Sequence, residues 1–201
     1  MPSDSSTPTN LDAYREDADR FIAELDEEYY LHFAGHKEKL ELEPIYERHQ
    51  DLTTLEWAQT IGESVNGDRR VRELWRFACE GHLGNLTKEH SEKAAALETE
   101  LEAEVDGEKV GYRMLRPTIA NTDDRGKRER LDRARTQLTD EHLNPIYLDA
   151  VEIGQRTVPK LGSPNYVDLY RRFGYRLDDL AAQCRAVLGL VGGLFGSAGQ
   201  D

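Results

Sequence analysis

Residues 11–34 read LDAYREDADRFIAELDEEYYLHFA. Tyr14, Ala18, Phe21, Ile22, Leu25, Tyr29 and His32 recur in steps of three and four, the spacing that aligns one face of an α-helix. Acidic residues dominate the other face. Gly35 comes next, and glycine one place past a helical pattern is the usual left-handed stop. The same periodicity returns along most of the chain and sets the expected class: all-α, a multi-helix bundle or helical array.

Working outward, Pro44 opens a short helix, EPIYERH (43–49), where its missing N–H costs nothing. Thr53 with Glu56 reads as a capping box for a helix running to about Val65, which Asn66-Gly67 breaks. A third helix is expected from about Asp68 to Glu80, with Val71, Leu74, Trp75 and Ala78 inward. Thr87 is placed to cap a fourth, through KEHSEKAAALETELEAEV (88–105). Asp106-Gly107 then marks either a small hairpin near residues 103–115 or a turn between helices.

Helices resume at about Asp123 with DDRGKRERLDRARTQL, a charged segment with a thin apolar stripe. Pro145 and Pro159 mark breaks or kinks in the next segment, LTDEHLNPIYLDAVEIGQRTVPKLG. SPNYVDLYRRFG, capped by Ser163 with Pro164 next, and YRLDDLAAQCRAVLGLV give two more helices. The organisation expected is a disordered leader (1–10), a helical domain (11–188) and a flexible glycine-rich tail (189–201).

The net charge of −13 excludes some partners. An acidic surface repels phosphate backbones and anionic membranes, so neither nucleic acid nor membrane is an expected partner. MPSDSSTPTN at the N-terminus has no apolar core and is not a secretory signal. No apolar run of about 18 residues spans a bilayer. The location expected is cytoplasmic. Cys79 and Cys184 lie far apart and form no CxxC, so a disulfide framework or cysteine zinc site is not expected.

The stretch YYLHFAGH (29–36) places His32 and His36 four apart, a spacing that can hold zinc on one helix face. The peptidase form of that motif needs H-E-x-x-H. Residue 33 is Phe33, H-E-x-x-H occurs nowhere in the chain, and Gly35 puts His36 beyond the helix. His32 therefore reads as a half-buried histidine at the end of an apolar stripe. His49, His82, His90 and His142 are scattered, and Glu80 and Glu89 beside two of them read as ordinary solvated helix residues. Phosphate loops and the G-x-S-x-G elbow are absent. Cys79, three places before His82, reads as a buried small hydrophobe. No catalytic, cofactor-binding or metal residue is nominated. Tyr29, Tyr30, Tyr46, Tyr112, Tyr147, Tyr166, Tyr170 and Tyr175 read as core packers with hydroxyls at the rim, the alternative being a peptide-binding groove.

The order of segments resembles a known family. EYYLHFAG (28–35) is followed by ELWRFACEGHLGNLT (73–87), EVDGEKVGYRML (104–115), TIANTDDRGKRERLDRA (118–134) and NPIYLDAVEIGQRTVPKLGSPNYVDLY (144–170). Together they look like the N-terminal helical region of the thimet oligopeptidase and oligoendopeptidase F type zinc metallopeptidases, over residues 12–188. Ile119, Asn121, Asp123, Asp124 and Arg125 match the family's segment after its Asp-Gly turn. The catalytic half that bears zinc has no counterpart here, so the resemblance implies no cofactor in this chain. It implies one wall and lid of a channel for short peptides, silent alone, with partners among short peptides, a catalytic peptidase half or a second copy. A freestanding helical interaction or oligomerisation protein is the other expectation. A metalloenzyme using His32, His82 or His90 with nearby acids is the third.

Overall fold

The structure, a computed structural model, describes residues 11–65 and 67–196. It is an all-α array with one small hairpin. The expected leader (1–10), residues 197–201 of the expected tail and Asn66 lie outside the described residues.

Helix α1 spans Leu11–Phe33 and buries Tyr14, Ala18, Phe21 and His32, as its periodicity requires. Two of its residues depart from the pattern. Ile22, on the expected inner face, is 41 % exposed, and Glu28, on the acidic face, is buried. Glu28 is held there by accepting bonds from Lys37 Nζ (2.8 and 2.7 Å) and the Glu41 amide (2.7 Å), which tie down the loop after the helix. Gly35 ends α1 with φ +79°, and the His36 amide closes back on the Leu31 carbonyl at 2.8 Å.

Helix α2 (Glu43–Arg48) has no cap of its own. Glu92, on a later helix, supplies one: its Oε1 accepts from the Leu42 and Glu43 amides at 2.5 and 2.9 Å. Helix α3 spans Leu55–Glu63. Its cap is Thr54, whose Oγ1 accepts from the Trp57 amide at 3.2 Å, and not Thr53 as the sequence suggests. Thr53 is 1 % exposed and engaged by Asn85 Nδ2 at 3.0 Å, so the core takes it out of the capping role.

The expected third and fourth helices are one. Helix α4 runs unbroken from Arg69 to Glu100, 32 residues and about 48 Å long, capped by Asp68. Thr87 lies inside it, its hydroxyl donating to the Leu83 carbonyl at 3.0 Å. Gly81 and Gly84 look like breakers but are notches. A Cβ on Gly81 would meet Thr53 Cγ2 at 3.3 Å, and one on Gly84 would collide with the Tyr46 hydroxyl. Two further helix glycines serve the same purpose, Gly62 for the Trp75 indole N–H and Gly154 for the Tyr166 hydroxyl.

Helix α4 stops at Glu100, short of the expected Val105, because residues 102–105 turn extended. Strand β1 (Glu102–Val105) pairs antiparallel with β2 (Glu108–Gly111), Val105 opposite Glu108. Asp106 and Gly107 take φ +57° and +81°, the two positive angles of a type I′ turn. Ala103 and Val105 face Leu115 and Leu131 to form a small second core.

Helix α5 (Tyr112–Ala120) contains Pro117 and precedes the point where helices were expected to resume. Helix α6 (Arg125–Leu138), capped by Asp124, buries Leu131 and is clamped to the hairpin by charge. Arg130 grips Asp106 through two bonds of 2.9 and 2.7 Å, and Lys127 reaches Glu108 at 2.8 Å. A single π-type turn (139–143) leads into α7 (Asn144–Thr157).

A 3₁₀ turn ends at Gly162, φ +78°, and α8 (Tyr166–Arg172) comes after it. Its cap is Asn165, bonded to the Asp168 amide at 3.0 Å, and not Ser163. Ser163 is 2 % exposed and held by Arg172. Helix α9 runs Leu177–Gly196, past the expected boundary at 188. The main core gathers Phe21, Leu42, Ile61, Trp75 and Leu169 around the first half of α4, and α7 packs along its second half.

Candidate functional site

The histidines disperse. His32 sits in the last turn of α1 with its Nε2 2.8 Å from Arg113 Nη2, while His36 lies beyond the helix, exposed, against Tyr30. Arginine can only donate, so His32 Nε2 accepts and the ring proton sits on Nδ1. His49 bonds Glu24 at 2.9 Å, His82 bonds the Thr53 carbonyl at 3.0 Å, and His90 bonds Asp149 at 2.8 Å. His142 is exposed in the π-type turn. Each partner is on a different element. Among the described residues, no group of three or more His, Cys, Asp or Glu converges where a metal ion could be held.

His32 instead belongs to a polar junction of four helices. Arg113 of α5 also donates to the Ala95 carbonyl of α4 at 3.2 Å and lies 3.7 Å from the Glu98 carboxylate. The Phe33 ring packs against its guanidinium at 5.0 Å. Tyr147 of α7 donates to Glu98 at 3.2 Å, and burial with that carboxylate raises its hydroxyl pKa. No atom here is poised for chemistry. The guanidinium only donates, and the imidazole nitrogen that could accept is occupied by it. The junction fixes α1, α4, α5 and α7 to one another.

Cys79 is fully buried, and burial pushes its thiol up to about 12, which leaves it unreactive. Tyr14 and Tyr46 are core residues, as expected of the tyrosines, and Tyr14 donates to the Leu52 carbonyl at 2.9 Å. Tyr30, Tyr147, Tyr170 and Tyr175 are exposed.

Two features that the expectations passed over stand out. The first is α9. Leu177, Leu180, Cys184, Val187 and Val191 repeat in steps of three, four, three and four, the seam spacing of a helix that packs along its length on a partner. Leu180, Val187, Leu188 and Val191 are nevertheless 56, 57, 70 and 41 % exposed. Between Leu177 and Val191 the charged residues are Asp178, Asp179 and Arg185, so most of the seam is uncharged in a chain of net charge −13. The seam was legible in the sequence as a heptad spacing, beyond the plain helix read there.

The second feature is a groove of about 760 Å³ between α1 and the first turns of α4. Its apolar lining includes Ala18, Ile22, Val71, Leu74 and Phe77. Val71 and Leu74, expected inward, are only half-buried there. Arg76, on its rim, donates to the Tyr175 hydroxyl at 3.3 Å, so the corner that starts α9 lies beside the groove.

No described helix is long and apolar enough to cross a membrane. No family model, curated protein or solved structure matches the chain.

Proposed function

We propose that this protein is a helical interaction module, silent as a catalyst on its own, whose docking element is α9 and whose partner is a second copy of the same chain. The observation that carries the reading is the uncovered seam of α9. Exposed leucines and valines on one continuous face mark an association surface far more often than scattered single ones do. A second copy fits because the seam lacks the acidic residues that make the rest of the chain repel itself.

The energetics are consistent with weak pairing. Full burial of a Leu or Val side chain contributes about 1.5–3 kcal/mol, so covering the exposed half of each of four side chains contributes roughly 1 kcal/mol apiece. Eight such side chains in a dimer give about 8 kcal/mol, against an association cost of about 4–15 kcal/mol. At the low end of that cost about 4 kcal/mol remains, so pairing is weak and sets in at roughly millimolar concentration.

The resemblance to the oligoendopeptidase F type region offers a second occupant of the same face, a zinc-bearing peptidase half that would make this chain the wall of a peptide channel. Sedimentation of the pure chain up to that concentration tests the proposal, with metal content and hydrolysis of a quenched peptide measured on the same sample. A monomer–dimer equilibrium without hydrolysis is expected. A strict monomer would sink self-pairing and return α9 to a different partner. Chelator-sensitive cleavage would sink the non-catalytic part.

A further inference from the structure

We infer that α9 is received by the groove between α1 and α4 of the second copy, so that two chains exchange their last helices reciprocally. This rests on the self-pairing reading and adds the place where the helix sits. Position supports it first. Phe173 packs on Trp75 with ring centroids 5.0 Å apart, and Tyr175 is held by Arg76 on the rim of the groove. Helix α9 therefore starts at the mouth of one groove while its own seam stays exposed. A twofold pair in which each chain gives and receives satisfies both surfaces at once.

Length agrees. Leu180 to Val191 is twelve residues, eleven steps and about 16 Å of helix, and the α1 wall of the groove from Leu11 to Ile22 is the same. Chemistry agrees too. The lining includes Ile22, 41 % exposed, with Val71 and Leu74 half-covered, which is where an amphipathic helix lays its apolar face between two others. The groove is lined by four arginines and four acidic residues, so it is charge-balanced and does not repel an incoming helix. A seam pairing with its own copy, α9 against α9, would leave the groove and Ile22 uncovered.

The test uses the full chain carrying Ile22→Cys, with native Cys184 on the seam as the reporter; buried Cys79 stays out of reach. Under mild oxidation, a covalent dimer whose linked peptides join position 22 to Cys184 is expected. A dimer joined only through Cys184 to Cys184 would overturn the groove as the site while leaving self-pairing intact. A 22-to-184 link within one chain would show that the groove takes its own α9, and would overturn the exchange. A chain that sediments as a monomer throughout would overturn both. The variant Ile22→Glu gives an independent readout: dimerisation at least tenfold weaker with an unchanged helical circular dichroism spectrum, whereas undiminished dimerisation would also overturn the assignment.

Discussion

Gly84→Ala should reverse the sign of its effect according to what stands at position 46. In an ordinary helix interior, alanine in place of glycine stabilises by about 1 kcal/mol. Here the added Cβ would fall on the Tyr46 hydroxyl, closer than real Cβ atoms approach anything. Tyr46 is 7 % exposed and its ring lies 5.1 Å from that of Phe21, so the hydroxyl cannot swing aside without moving the core. Overpacking of this kind costs about 1–3 kcal/mol, which cancels or outweighs the propensity gain. With Tyr46→Phe in place, the nearest atom is the ring carbon at 3.4 Å, an ordinary contact. Gly84→Ala should then stabilise by about 1 kcal/mol relative to Tyr46→Phe alone. The coupling of roughly 1–3 kcal/mol is read from urea midpoints of the four proteins at constant m-value. Equal stabilisation in both backgrounds would refute the notch, and Gly84 would then need another explanation.

Leu188→Ala removes a side chain that is 70 % exposed in the single chain. Self-pairing should lose about 1 kcal/mol per copy, a weakening of roughly thirtyfold, with the unfolding midpoint of the monomer unchanged; undiminished sedimentation as a dimer would contradict the role given to α9. A thiol reagent should modify Cys184 on the native chain and reach Cys79 only on unfolding, since one is exposed and the other buried with its thiol pushed up to about 12; two thiols reacting at one rate would mean the core is open around α4. Bonds from Arg48 and then His49 hold the Glu24 carboxyl below its ordinary value, so its contribution is present above the unfolded carboxylate range and lost as pH falls through the folded value. The stability gap between the parent and Glu24→Gln should therefore be largest near neutrality and close on acidification; a gap independent of pH would leave the Glu24 interactions without weight.

The features legible in the sequence were those decided by neighbours along the chain. The buried face of α1, the stop at Gly35 and the Asp106-Gly107 turn come from spacing and from backbone angles that few residues adopt. The features that escaped were decided by distant partners. Glycines at 81 and 84 look like helix breaks until Thr53 and Tyr46 are seen against them. Thr53 and Ser163 are good caps by type, yet Asn85 and Arg172 hold them in the interior and the capping passes to Thr54 and Asn165. His32 reads from the sequence as a half-buried histidine, yet it is 2 % exposed, and the arginine bonded to it lies 81 residues away. Periodicity identifies an inner face but not which residues along it are covered. Ile22, Val71 and Leu74 all lie on inner faces and line a groove that is still open.

That incomplete cover bears on α9. Glycine costs a helix about 1 kcal/mol relative to alanine, and α9 carries Gly189, Gly192, Gly193 and Gly196 in its second half. Propensity therefore does not hold this helix, and most helices draw their stability from packing of an apolar face. Described side chains from Leu180 to Leu188 are largely exposed on their own chain, and the proposed exchange supplies the packing they lack. A flat or convex partner would touch one side of the seam. A groove between two helices touches both, and this chain presents one of matching length beside the corner from which α9 departs. Under the proposed exchange, helix formation and docking draw on the same buried surface. That coupling accounts for an acidic, thinly cored chain placing an uncharged leucine and valine seam on a helix that its own core does not cover.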